Sequence, residues 1–129
     1  MDKKFVISSL VYGILGMVLG NMMAASHNHG QMVTHAHILL VGFVVSFIYG
    51  LCHKLWLDGI NKTLASIQFY LHQLGALGMF AGLYLLYGGI VAPEKIEPLL
   101  ASSSIAVLVA GILMLVMFCK TPTPHSSSQ

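Results

Sequence analysis

Thr34-His35-Ala36-His37-Ile38-Leu39-Leu40-Val41-Gly42-Phe43-Val44-Val45 decides how this chain is read. Two imidazoles sit two residues apart where a long apolar run begins. If that run crosses a membrane, polar rings at its start need a reason. Imidazole can hydrogen-bond, titrate near neutral pH or ligate a metal. An ionisable residue in a membrane segment is by default a sign of function.

Composition supports the membrane reading. Of 129 residues, 57% are apolar and 8% charged, with a mean hydropathy of +0.83. A soluble domain carries about 25% charged residues, so this chain cannot cover a water-facing surface. It can cover itself with lipid. The length allows one domain of about four spans, at ~20 residues each. All six basic residues are Lys, and the acids Asp2, Asp58, Glu94 and Glu97 lie outside the apolar runs. Nothing forms the basic stripe that nucleic-acid binding needs. Cys52 and Cys119 fall at the ends of apolar runs without metal-type spacing, and read as small apolar filler.

The expected fold is all-α: a four-transmembrane-helix bundle over 1–119, with a flexible tail over 120–129. Spans are expected at about 5–25, 34–56, 64–91 and 99–119. The first is read as a retained span, since its apolar stretch exceeds the ~7–15 residues of a signal core. It carries Gly16-x-x-x-Gly20-x-x-x-Ala24, a small-residue row of the kind that lets helix backbones approach in lipid. Gly78-x-x-x-Gly82 in the third span is another. Gly30 suits the end of the first helix, and Thr34 suits a cap for the second. Tyr49 and Trp56 read as interfacial aromatics. Pro93 and Pro98 bracket the last connector. His125 in the tail reads as a bystander.

Orientation follows from lysine. With the N-terminus inside, Lys3, Lys4, Lys54, Lys62 and Lys120 are inside and Lys95 alone is outside. Both termini are then cytoplasmic. His27, His29, His35 and His37 then face outward, to the periplasm if the membrane is a bacterial inner membrane.

Successive helix positions rotate ~100°, so His35 and His37 point roughly 200° apart. They cannot readily chelate one ion together, but each can serve a different pocket. Four histidines in eleven positions favour ligation over simple hydrogen bonding. His72 enters from the opposite face, too deep to share an iron with His37 in one chain. It is expected to bond Gln68 or a neighbouring helix, or to line a second polar site with Gln68. His53, beside Lys54, reads as solvated.

The run Val33-Thr34-His35-Ala36-His37, with Gly42-Phe43-Val44 and Phe47-Ile48-Tyr49-Gly50, resembles a haem-ligating helix of haem–copper oxidase subunit I. Ser66-Ile67-Gln68-Phe69-Tyr70 leading to Leu74-Gly75 looks like the helix that follows it. The whole chain resembles the small four-span bacterial proteins labelled cytochrome oxidase subunit I-like, through His27, His35, Ala36, His37, Leu40 and Gly42. The resemblance covers the first three spans well and the fourth weakly. It implies that one histidine of the pair holds one haem and the other a second.

The departures are informative. The oxidases have twelve helices, copper ligands elsewhere and arginines at the haem propionates, and this chain has no arginine. It is therefore not expected to be a complete oxidase. The oxidase helices form three four-helix arcs, so three copies of this chain would reproduce the ring. The resemblance thus implies a homotrimer with haem b held at each subunit interface by His35 of one copy and His37 of the next. The role would be electron transfer, redox sensing or haem handling, with a redox partner not identified by sequence. Two alternatives stand beside it. One is an outer-face copper or zinc protein using His27, His29, His35 and His37. The other is an accessory span bundle whose histidines only hydrogen-bond.

Overall fold

The computed structural model describes residues 1–121. Its described residues form four long helices and no strand. They are α1 (Asp2–Ser26), α2 (Met32–Leu55), α3 (Lys62–Tyr87) and α4 (Pro93–Lys120). All four are long and apolar enough to cross a membrane. A helix satisfies its backbone groups within itself, which is what a lipid interior demands. The outer surface agrees with that solvent: Leu74 is 68% exposed, Leu115 64% and Leu108 62%. Short loops make consecutive helices antiparallel. One end of the bundle carries Met1, Lys54 and Lys62, and is called here the lysine end. The other carries the 27–31 loop, and is called the histidine end.

The helices begin earlier than the apolar runs, because backbone bonding continues into polar flanks. Asn61 opens α3, its Oδ1 accepting from the Thr63 N–H at 2.8 Å and the Leu64 N–H at 3.4 Å. α4 starts at Pro93 rather than near Leu99. Proline suits the first helical position, where its missing N–H is no loss. Pro98 lies inside the helix and leaves the Glu94 carbonyl without its regular donor.

Two expected caps are corrected. α1 ends at Ser26, and it is His27, not Gly30, that takes the left-handed conformation, at φ 56° and ψ 18°. Thr34 caps nothing. α2 starts at Met32, and buried Thr34 donates its hydroxyl to Gln31 Oε1 at 2.7 Å. Gln31 Nε2 then donates to the Tyr84 carbonyl at 3.0 Å, tying the start of α2 to the last turns of α3.

The least regular element is α2. Between α-helical Met32–His37 and Ser46–Leu55, Ile38–Val45 is wound as a π-helix. Such wide turns are rare and recur at functional sites. This one packs between α1 and α3: a Cβ on Gly42 would lie 2.7 Å from the Tyr12 ring and 3.1 Å from Phe80.

Both glycine rows work at helix contacts inside the chain. Gly13, Gly16 and Gly20 turn toward Phe43, Leu39 and His35 of α2. Gly78 turns toward Ser103 of α4, where a Cβ would collide with the hydroxyl. α3 packs most extensively on α4, and α1 on α2. The apolar core falls into two clusters. Leu57, Ala65, Met114 and Met117 fill the lysine end, while Tyr12, Ala76 and Phe80 fill the middle.

Candidate functional site

At the histidine end the first turns of α2 present both rings. His35 leans on α1, its Nδ1 2.8 Å from the Gly16 carbonyl. A carbonyl only accepts, so Nδ1 carries the proton and Nε2 keeps a lone pair. Gly20 makes this seat possible, since a Cβ there would stand 2.9 Å from His35 Cε1. The small-residue row and the histidine pair, separate features in the sequence, therefore form one device.

His37 is set in the same way by a different group. Its Nδ1 lies 2.8 Å from the carbonyl of Val33, one turn back on α2. That too fixes the Nδ1–H tautomer and leaves Nε2 as the lone-pair nitrogen. Neither Nε2 is a buried atom lacking a partner, and both residues are half-exposed. Ring nitrogens that bind metal commonly have their other N–H held by a carbonyl or carboxylate in this fashion. The two rings serve different neighbours, one turned to α1 and one held on its own helix.

His27 and His29 are exposed in the connecting loop. Among the described residues, no three of His, Cys, Asp or Glu come together in a way that could hold a metal ion. His27, His29, His35 and His37 share one end of the bundle without forming such a group among the described residues.

A second group of polar side chains fills the interior toward the lysine end. His72 is fully buried, with Nε2 3.1 Å from the Ser46 hydroxyl of α2. Its partner is therefore a neighbouring helix rather than Gln68. Gln68 is also fully buried and donates Nε2 to the Ala110 carbonyl of α4 at 3.3 Å. Tyr12 donates its hydroxyl to Gln73 Oε1 at 2.7 Å. Among the described residues, His53 Nε2, Gln68 Oε1, His72 Nδ1 and Gln73 Nε2 are buried without a well-formed hydrogen bond, although Gln68 stands against His53 and the Val41 backbone against His72.

One sequence expectation is corrected here. His53 is not solvated. It is 8% exposed and stacks on Phe5, with ring centroids 5.4 Å apart. Lys54 is exposed, and one step of ~100° around the helix turns His53 inward. Tyr49 is half-buried at the lysine end, with its ring edge-on to His72 at 5.2 Å. The signal was in the sequence: Ser46, Tyr49 and His53 recur at helical spacing on one face of α2. Trp56 does lie at the helix end, 46% exposed. His125 lies outside the described residues.

Compared with family models, with curated proteins and with solved structures, the chain gives no match in any of the three. The fold and the two histidine arrangements therefore carry the functional reading.

Proposed function

We propose that this chain is an integral membrane protein that binds b-type haem through His35 and His37 at the interfaces of a homo-oligomer, with a trimer favoured. One observation supports it above the rest: both rings give Nδ1–H to a backbone carbonyl and keep Nε2 free. A ring held this way could hold haem iron through Nε2, and haem iron is commonly held by histidine. Bound haem would supply a one-electron iron couple. The chain's own part is to fix two ring orientations.

A single chain offers the rings to different neighbours, so two-histidine ligation draws one ring from each of two copies. The role assigned is electron transfer, redox sensing or haem handling. With the lysine end cytoplasmic, the site lies at the outer face. The chain has no arginine to meet haem propionates as in the oxidases it resembles, so a complete oxidase is not proposed.

A reduced-minus-oxidised spectrum of purified protein, with iron, copper and zinc analysis, tests the reading. Haem bands lost in the His35→Ala, His37→Ala double variant, in an oligomeric protein, are the expected result. Haem on a monomer, or unchanged Soret absorption in the double variant, overturns it. Copper or zinc without haem would support the metal alternative, with ligands drawn from more than one copy.

A further inference from the structure

We propose that the lysine end carries a binding site for phosphatidylethanolamine, with the lipid phosphate held at Lys62 and its primary ammonium reaching the carboxylate of Asp58. The site is separate from the pair at the histidine end and needs no haem.

Two hollows meet at this end. One is a cavity of about 500 Å³, lined by Asp2, His53, Lys54, Asp58, Lys62 and Ser66 among others. The other is a shallower groove of about 430 Å³ on the flank of α3, lined by Lys62, Thr63, Ser66, Ile67 and Tyr70. Lys62 and Ser66, one helical turn apart, belong to both, so one ligand lying across them reaches both hollows. The end is preset by its loop. Leu57 is 2% exposed, packs with Ala65, Met114 and Met117, and takes its N–H to the Cys52 carbonyl at 3.1 Å. The loop is thereby folded onto the core, which holds Asp58 beside the cavity.

The two hollows differ in charge. The groove offers a lysine and two hydroxyls with no carboxylate, and the Lys4 ammonium stands 5.8 Å from the centre of the Tyr70 ring beside it. That lining suits a phosphate. The cavity adds the carboxylates of Asp2 and Asp58. Asp2 stands near Lys54. Asp58 and Lys62 are both exposed, and among the described residues neither forms an ion pair. A cation and an anion left open side by side complement a zwitterion whose phosphate and ammonium are two carbons apart. An ammonium brings three N–H donors to a carboxylate, whereas the trimethylated nitrogen of phosphatidylcholine brings none.

The placement suits a lipid rather than a free solute. Trp56, 46% exposed, marks the headgroup level at this end. From the groove, Ile67, Tyr70, Leu74 and Leu77 continue as an outward stripe along α3, at 50%, 51%, 68% and 53% exposure. Between Ile67 and Leu77 the helix rises ~15 Å, half of a ~30 Å hydrocarbon core, so an acyl chain of one leaflet lies along the stripe. Basic pockets between membrane helices bind phospholipid headgroups. Free phosphate would fill the groove but leave both the stripe and Asp58 unused.

The test uses the full chain in detergent with equal amounts of phosphatidylethanolamine, phosphatidylcholine and phosphatidylglycerol carrying identical acyl chains. Native mass spectrometry reads which lipid stays bound. Phosphatidylethanolamine should be retained roughly two- to fivefold over each of the others, the scale of an exposed ion pair. Asp58→Asn should erase the preference over phosphatidylcholine while lipid still binds. Lys62→Gln should lower retention of all three by a similar factor. Both side chains are exposed, so neither change disturbs the core. Lys95→Gln, at the histidine end, should alter neither retention nor preference. Equal retention of phosphatidylethanolamine and phosphatidylcholine, a preference for phosphatidylglycerol, an unchanged preference in Asp58→Asn, unchanged retention in Lys62→Gln, or displacement of the lipid by millimolar inorganic phosphate each overturns the site.

Discussion

Replacing Gly20 by alanine tests the seat of His35 without touching the ring. The new methyl would stand 2.9 Å from His35 Cε1 and 3.4 Å from Nδ1. Carbon atoms in good contact sit about 3.5–4.0 Å apart, so the ring must retreat by roughly half an ångström or more. The Nδ1 to Gly16 carbonyl distance is 2.8 Å. A retreat of that size takes it beyond the ~2.7–3.2 Å range of a sound hydrogen bond. The lost bond costs about 0.5–1.5 kcal/mol, and the ring is freed to adopt the other tautomer. Where a ligating histidine loses the partner of its second nitrogen, affinity falls about 10–100-fold. Nitrogen-15 shifts of the His35 ring should report the loss of the fixed Nδ1–H tautomer with or without haem, and haem titration should report the weaker binding. An unchanged ring tautomer in Gly20→Ala refutes the seat. A changed tautomer with unchanged haem affinity refutes His35 as a ligand while leaving the seat intact.

Three other outcomes are expected. Tyr12→Phe removes the partner of Gln73 Oε1 and leaves both ends of a buried amide unpaired, which should lower stability by about 1–3 kcal/mol in denaturant titration in detergent; an unaltered midpoint counts against the pairing. His27→Gly relieves a left-handed residue that costs roughly 1–2 kcal/mol, less the ~0.5–1 kcal/mol that glycine loses in freedom, so unfolding should shift slightly upward, whereas a downward shift shows that the His27 side chain holds the loop. Gly78→Leu drives a side chain into Ser103 at the α3–α4 contact and should destabilise by about 1–3 kcal/mol, as overpacking does, seen as a lower melting temperature; a neutral result means that the two helices can separate there without cost.

The helices were legible because four apolar runs exceed what a globular core uses, and the polar links between them are short. The small-residue rows were legible as surfaces of approach, and Gly16, Gly20 and Gly78 do lie at such contacts. What each approaches was not readable, since a row of small residues carries no address. That is why Gly20 and His35 appeared as separate features. The π-wound stretch left no trace either. Ile38–Val45 is apolar all round, with no polar face whose phase would betray a wider turn. His72 and Gln68 stood out as polar residues in a span, but Ser46, Tyr12 and His53 did not. Serine, tyrosine and a histidine next to lysine are ordinary near span ends, and only the rotation of each helix turns them to a shared interior.

The π-wound stretch also has a mechanical meaning. It lies between the half of α2 that holds His35 and His37 and the half that holds Ser46 and His53. A regular helix turns ~100° per residue, so the number of residues in the wide turn sets the angle between those two halves. Deleting one residue from Ile38–Val45 would swing Ser46 and His53 away from Gln68 and His72, with the seat of His35 on α1 still in place. The winding of this one segment is the gearing between the two ends of the molecule.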